Sequence, residues 1–351
     1  MIRINLSYEK EEEVKTIFRK WFFQRKDNIG EFVNVIKNDE KLRKIVFYED
    51  NEKYSKYINK LNDKNDNSTE KKICQKLLEE FFFARFDEKK IIERYVPSKE
   101  LKFNKETEKF FLNKYSNFRN SQAIKIIRKL DISVCPYCNR NYMELYNEGH
   151  QKRYARYLFK GELDHYFQKT KYPHLAISVF NLIPCCKICN HEKHEKDIRV
   201  MYPYSRNYET ACKFTLSMLT EDDKFDIAFN EKIEEYQKND ITYIQGTSDN
   251  FKINIKATDN KYNEIVKNSN NAFYLEKKYN SSKSYVKELL RKRYIYTEKY
   301  ADFLSKSFCE VFKEPNDVKR TIFSNELNGS DYNERPLSKL TYDILKELEI
   351  I

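Results

Sequence analysis

Two Cys-x-x-Cys pairs, Cys135-Pro-Tyr-Cys138 and Cys186-Lys-Ile-Cys189, are the residues in this sequence most able to do chemistry. Eight Cys scattered over 351 residues would rarely give even one such pair. Each pair forms a tight knuckle, and two knuckles bring four thiolates onto one tetrahedral Zn²⁺. Disulfides and a thioredoxin-like redox pair are the competing readings. A cytosolic chain disfavours the first, and the redox reading needs a single pair in a βαβ setting. Structural zinc on Cys135, Cys138, Cys186 and Cys189 is therefore the expectation. Cys185 is out of register with its knuckle. It is expected to be a small buried hydrophobe, like Cys74, Cys212 and Cys309.

The window from about Ser133 to Asp197 holds five of the eight Cys and all five His: His150, His165, His174, His191 and His194. Such clustering marks a metal or catalytic site. Between the knuckles the sequence runs Phe159-Lys-Gly-Glu-Leu-Asp-His-Tyr-Phe-Gln-Lys-Thr-Lys-Tyr-Pro-His-Leu-Ala-Ile-Ser-Val-Phe-Asn-Leu-Ile-Pro. Asp164-His165, then Asn181-Leu-Ile-Pro, then Cys186-x-x-Cys189-Asn190 resembles the HNH endonuclease family, a ββα-metal fold with a four-cysteine zinc site. The resemblance covers about 65 residues and is closest to bacterial HNH proteins linked to phage defence or mobile elements. Gln168 stands where that family commonly has Pro, and Thr170 where it has Ser. Neither change removes a catalytic group. Arg335-Pro-Leu-Ser-Lys-Leu-Thr-Tyr-Asp-Ile-Leu resembles the tail of such proteins less specifically.

The resemblance implies a strand ending at Asp164 and His165, a loop through Thr170 and Pro173, a second strand at about Phe180–Ile183, and a helix from about Asn190. It implies His165 as the general base for water, suited by an ordinary pKa near 6.5. Asp164 and Asn190 become oxygen ligands of a catalytic Mg²⁺ or Mn²⁺, and Asn181 orients the loop and His165. His194, four residues after Asn190 on the same helix face, is a candidate third ligand or phosphate contact, or else a solvated helix residue. His191 and His150 are expected to be exposed bystanders, and His174 to touch substrate or nothing. Lys169, Lys171, Lys187 and Lys193 could meet phosphate, or be simply solvated.

The elements that must position these residues follow from periodicity. Val14, Ile17, Phe18, Trp21 and Phe22, then Ile73, Leu77, Leu78, Phe81 and Phe82, each trace one face of a helix. Asn62–Thr69 reads as a loop between them, and Ala123, Ile124, Ile127 and Leu130 as a helix ending at Asp131. Phe225–Phe229, Ile241–Ile244 and the run from Phe251 alternate as short strands. Helical spacing returns from Ala272 through Tyr285, Leu289, Leu290, Tyr300, Phe303 and Leu304, and Leu337–Leu348 forms a last amphipathic helix. The expected class is α+β: a helical region 1–130, a zinc-stabilised nuclease core 131–200, and a mainly helical α+β region 201–351.

Composition sets the outer bounds. Hydrophobic residues are 40%, yet 27 Tyr and 25 Phe can fill a core, so global disorder is excluded. Five Gly and seven Pro exclude collagen-like and Gly- or Pro-rich architectures. No apolar run approaches a membrane span, and the N-terminus lacks a secretory signal, so a cytoplasmic protein without a membrane partner is expected. A net charge of +11 favours polyanions. Charge alone fits a solvated Lys-rich surface equally well; it is the resemblance that makes nucleic acid, double-stranded DNA foremost, the expected partner. Without a Gly-x-x-x-x-Gly-Lys loop, any ATPase or sensor would be a separate chain. Two readings compete with the endonuclease. One is a zinc-stabilised nucleic-acid-binding module without catalysis, and the other a scaffold stapled by zinc.

Overall fold

The computed structural model describes residues 1–47, 58, 61, 68–97, 102–148, 157–194, 196, 198–219, 226–228, 242 and 245–351. His150, most of the 62–69 loop and most of 241–244 lie outside these residues. The fold is α+β.

The first third is helical: α1 (Tyr8–Phe22), α2 (Lys26–Asn38), α3 (Glu40–Phe47), α4 (Thr69–Phe82), α5 (Lys89–Tyr95), α6 (Lys105–Ser121) and α7 (Ala123–Leu130). The local signals are consistent with one another. Ser7 and Ser68 cap α1 and α4 by accepting the N–H of Lys10 and Lys71. In α1, Glu9 and Glu11 sit in the first turn and Arg19 and Lys20 in the last, matching the helix dipole. The buried stripe of α1 is Val14, Phe18, Trp21 and Phe22. That of α4 is Cys74, Leu78, Phe81 and Phe82, so the expected face is rotated and Ile73 is exposed. The two stripes meet with the rings of Phe22 and Phe82 4.6 Å apart. Helix α7 stops where Asp131 takes a left-handed conformation, φ 54°.

Next come a ribbon of β1 (Leu145–Asn147) and β2 (Tyr157–Phe159), then an antiparallel pair, β3 (Glu162–His165) and β4 (Leu182–Cys185), and the short helix α8 (Lys187–Lys193). In the β3–β4 register Asp164 faces Ile183 and His165 faces Leu182. Gly161 makes the entry to β3 possible, since a Cβ there would lie 2.9 Å from the Cys185 carbonyl oxygen. The second strand starts later than expected because Val179–Asn181 forms a 3-10 turn. The helix starts earlier, because Cys186 is its N-cap.

The remainder contains β5 (Cys212–Leu219), β6 (Asp226–Ala228) and β7 (Phe251–Ala257), in the order β6-β5-β7. Helices α9 (Asn263–Phe273), α10 (Leu275–Asn280), α11 (Lys283–Ile295), α12 (Glu298–Ser307), α13 (Pro315–Phe323) and α14 (Ser338–Glu347) complete it. Asp343 and Glu347 of α14 accept the backbone N–H groups of Phe214 and Leu216, both at 2.9 Å. Two N–H groups on the side of β5 that β7 leaves open thereby find acceptors, and β6 pairs farther along that side, at Ser217–Leu219. One contiguous apolar core runs from Met1 to Ile350 and includes the knuckle cysteines. Among the described residues no helix is long and apolar enough to cross a membrane.

Candidate metal centre and candidate active site

The Sγ atoms of Cys135, Cys138, Cys186 and Cys189 lie within 4.8 Å of one another, all buried. A tetrahedral zinc with bonds of about 2.3 Å needs sulfurs about 3.8 Å apart, so the set fits such an ion. The first knuckle precedes β1. The second joins β4 to α8, where the Cys186 sulfur also accepts the Cys189 N–H. Asn141 donates from Nδ2 to Cys186 Sγ at 3.2 Å and to Cys138 Sγ at 3.8 Å. The four thiols share their protons unevenly: hydrogen bonds from Cys135, Cys138 and Cys189, and then from Asn141, hold the Cys186 thiol well below its ordinary range, while burial pushes Cys135 up and the neighbouring thiols push Cys189 up. Thiolate character is what a metal requires. Cys185 stands outside the cluster and burial pushes its thiol up. Cys74 and Cys212 are buried as expected, but Cys309 is exposed.

Both ends of the described chain close over the first knuckle. The Ile2 N–H donates to the Pro136 carbonyl at 3.0 Å, and the Leu337 N–H to that of Asn139 at 2.6 Å. Asn139 sits at φ 49° directly after the knuckle, where Asn is tolerated, and its Oδ1 accepts the Lys339 N–H.

Strand β3 ends on Asp164 and His165, whose side chains leave opposite faces of the strand yet line one cavity of about 260 Å³. Asn190, His194, Tyr115, Arg119 and Lys169 line it too. His165 Nε2 lies 3.0 Å from the Ala176 carbonyl oxygen. A carbonyl only accepts, so Nε2 carries the proton and Nδ1 keeps a lone pair. The Tyr115 ring packs edge-on against the imidazole, 4.4 Å between centroids. Burial pushes the His165 pKa down to about 3, aided by the charges of Lys169, Lys193 and Arg119. The value near 6.5 expected from the sequence is that of a solvated ring. The buried ring stays neutral throughout the physiological range, and it is a weaker base than the ring near 6.5 on which the expected role rested.

Asp164 is 7% exposed and already bonded. The Tyr137 hydroxyl donates to Oδ2 at 2.6 Å, and Lys193 Nζ lies 2.9 Å from Oδ1 and 2.8 Å from Oδ2. Lys193 also donates to the His165 carbonyl at 2.7 Å. Lys193 is therefore an internal partner of Asp164, and the expectation of a phosphate contact or a solvated charge is corrected for it. Asn181 is fully buried. Its Oδ1 accepts the Phe167 N–H at 2.8 Å, and its Nδ2 donates to the carbonyls of Phe167 and Leu175, both at 3.0 Å. It thus ties the two ends of the 166–181 loop together.

Asn190 lies in the second turn of α8 and lines the cavity. His194 is the C-cap of that helix, with φ 2° and ψ −92°. Its N–H still closes the last turn onto the Asn190 carbonyl at 3.1 Å, so His194 lies one turn beyond Asn190, and both line the cavity. Gln168 donates from Nε2 to the His194 carbonyl at 3.0 Å and to that of Lys196 at 3.3 Å. Gln168 thereby pins the loop to the end of α8.

His174 is fully buried, with Nε2 2.8 Å from the Tyr95 carbonyl, so it cannot touch substrate. His191 is exposed. The residues that sequence reasoning missed are Asn141, Tyr115 and Arg119, together with the Tyr137 hydroxyl. Tyr137 lay within the first knuckle, where its buried hydroxyl needed a partner. Tyr115 and Arg119 arrive on α6 from more than 40 residues away and carry no local signal.

An oxygen-ligated divalent ion fits the donor set narrowly. A carboxylate has about four lone-pair sites. Tyr137 donates to Oδ2 and Lys193 to Oδ1, with the ammonium also 2.8 Å from Oδ2, so both carboxylate oxygens are already engaged; Asn190, on the same cavity, offers only a neutral amide.

No family model, no curated protein and no solved structure matches this chain.

Proposed function

We propose that the chain is a metal-dependent endonuclease of the HNH type that hydrolyses phosphodiester bonds, with DNA as its substrate. The observation that carries this reading is the setting of His165. Its Nε2 is held by a carbonyl, its Nδ1 keeps a lone pair, and its ring lines a cavity with Asp164, Asn190, Arg119 and Lys169. The antiparallel pair β3–β4 followed by α8 is also the order of elements that a ββα-metal site requires.

Hydrolysis here takes one water. Nδ1 of His165 accepts a proton from it while its oxygen bonds to phosphorus, and the bond from phosphorus to the 3′-oxygen breaks. The departing oxygen takes its proton from solvent. Arg119 and Lys169 hold the phosphate oxygens. Asp164 and Asn190 would hold Mg²⁺ or Mn²⁺, which supplies charge neutralisation to the phosphorane and the leaving oxygen. The four cysteines hold a structural Zn²⁺ that fixes Asn190 by bracing α8. We extend the proposal to a cytoplasmic effector of an anti-phage or mobile-element system, acting with a separate ATPase or sensor.

A zinc-stabilised binding module without catalysis is the second reading. The Lys193–Asp164 ion pair favours it, since a carboxylate already paired is a weaker metal ligand. Plasmid cleavage with Mg²⁺ or Mn²⁺ separates the two. His165→Ala is expected to lose roughly 10²–10⁴-fold in rate while keeping zinc and DNA binding. DNA binding by the wild-type chain with no cleavage under any divalent ion would sink the nuclease reading.

A further inference from the structure

Lys193 makes an unusual arrangement for a residue beside a metal ligand. Its ammonium has three donors, and three oxygens surround it: both carboxylate oxygens of Asp164 and the carbonyl of His165. Its side chain is only 3% exposed. It sits behind Asp164, since the cavity is lined by Asp164, Asn190 and His194 but not by Lys193. The other carboxylate on the cavity, Glu162, is paired with Arg119 at 3.4 Å. The fixed charges around the pocket are thus two carboxylates, Asp164 and Glu162, against three cations, Lys193, Arg119 and Lys169.

We propose that Lys193 is a built-in counter-cation that denies the Asp164–Asn190 pair a divalent ion until a phosphate of the nucleic acid arrives. The inference rests on the nuclease reading and adds to it an order of assembly: nucleic acid first or together with the metal, never metal alone. The physical reason is charge. A divalent ion binds through one or two carboxylates, usually with substrate phosphate completing the set. Here the carboxylate that would attract it is already neutralised, Asn190 brings no charge, and the pocket carries a net positive balance. The lone pairs that Tyr137 and Lys193 leave on Asp164 keep ligation possible, while the ammonium a few ångströms behind it lowers the affinity. An incoming phosphodiester, with its single negative charge, cancels that positive excess and brings oxygen ligands of its own. Lys193 thus acts through Asp164 and is a positioning residue.

The test is Mn²⁺ binding, followed by electron paramagnetic resonance, on the full zinc-loaded chain carrying His165→Ala to prevent turnover. It is run with and without a short DNA duplex. With Lys193 intact, the duplex is expected to tighten Mn²⁺ binding by roughly tenfold or more. Lys193→Met is expected to tighten Mn²⁺ binding of the duplex-free chain by a similar factor and to shrink the effect of the duplex. Lys193→Gln, whose amide can still donate to Asp164, is the second variant should the Met variant lose its fold. Lys193→Arg keeps the charge and should keep the dependence on duplex. A gain of affinity on losing a side chain is not a result that structural damage gives. Tight Mn²⁺ binding by the duplex-free chain with Lys193 present overturns the proposal. So does weaker binding, or no change, in the folded Met or Gln variant. Metal-dependent cleavage by the wild-type chain is measured alongside: its absence is a failure of the nuclease reading, whereas its presence with either overturning result is a failure of this inference alone.

Discussion

His165 and His174 stand nine residues apart, and each gives its Nε2 proton to a backbone carbonyl, but only His165 lines a cavity. The sequence separates them through Asp164-His165 alone. Nothing in Pro173-His174 distinguishes a loop surface from a buried wall between Phe81 and Phe103. Burial pushes His174 down to about 4 and leaves its Nδ1 without a partner. In the unfolded chain the ring titrates near 6.5. Between these values the unfolded state binds more protons, so stability is intact above about pH 6.5 and falls as pH drops toward 4. The loss is on the order of 3 kcal/mol at most. Urea denaturation across this range should show a shallower pH slope for His174→Gln, which keeps a donor for the Tyr95 carbonyl; equal slopes would contradict the assignment. Asp164 offers a second test at this scale. Asp164→Ala leaves the Lys193 ammonium buried without its carboxylate, a loss of about 3–5 kcal/mol. Its cleavage defect should therefore come with a lowered urea midpoint and resist rescue by excess Mn²⁺, whereas Asp164→Asn should keep more of the fold. An Asp164→Ala chain as stable as wild type would show that the buried ion pair contributes little.

Helix α8 is too short to persist by its own hydrogen bonds, since isolated helices below about 12 residues are marginal in water. Its anchor is the second knuckle, where Cys186 is both a member of the sulfur cluster and the N-cap. Asn190 and Lys193 both ride on this helix. Zinc removal should therefore reach the candidate active site. Chelation, or Cys186→Ala, is expected to speed hydrogen exchange of the 187–193 amides and to abolish cleavage, and elemental analysis should find one zinc per intact chain. Cys185→Ala removes only a buried thiol and should keep the zinc; a Cys185 variant lacking metal would mean the wrong thiols had been chosen. The order strand, loop, strand, helix was expected here through the resemblance of the run from Asp164 to Asn190 to HNH proteins, not from periodicity. The boundaries were not: the 3-10 turn at Val179–Asn181 and the capping sulfur of Cys186 both depend on contacts made after folding. For α1 and α4 the helices were legible, but the stripe of α4 was rotated, because the neighbours that bury Cys74 instead of Ile73 lie elsewhere in the chain.

At the scale of the whole molecule, the regions before and after the knuckles contribute to the site. Helix α6 brings Tyr115 and Arg119 to the cavity wall, and the segments at Ile2 and Leu337 close over the first knuckle. A larger cleft, about 760 Å³ between β5 and α14, lies away from this cavity, and its carboxylates Glu209, Asp343 and Glu347 are each engaged by a backbone N–H group. The net charge of +11 becomes a local statement where Arg119 and Lys169 flank His165. Lys169 lies 4.6 Å from the centre of the Tyr115 ring, and burial and the Arg119 charge lower its pKa. A phosphate between these two side chains would relieve their repulsion. Each phosphate contact on duplex DNA contributes about 0.9 to the slope of log affinity against log salt. Arg119→Ala with Lys169→Ala should make that slope shallower by about 2 relative to His165→Ala, the cleavage-dead reference for all three chains. Lys187→Ala, an exposed position on the outside of α8, should change it by less than one contact. The comparison is read by fluorescence anisotropy on one duplex at several salt concentrations. If the double variant keeps the full slope, phosphate is held elsewhere on the basic surface, and the cavity around His165 is not where the backbone of the nucleic acid lies.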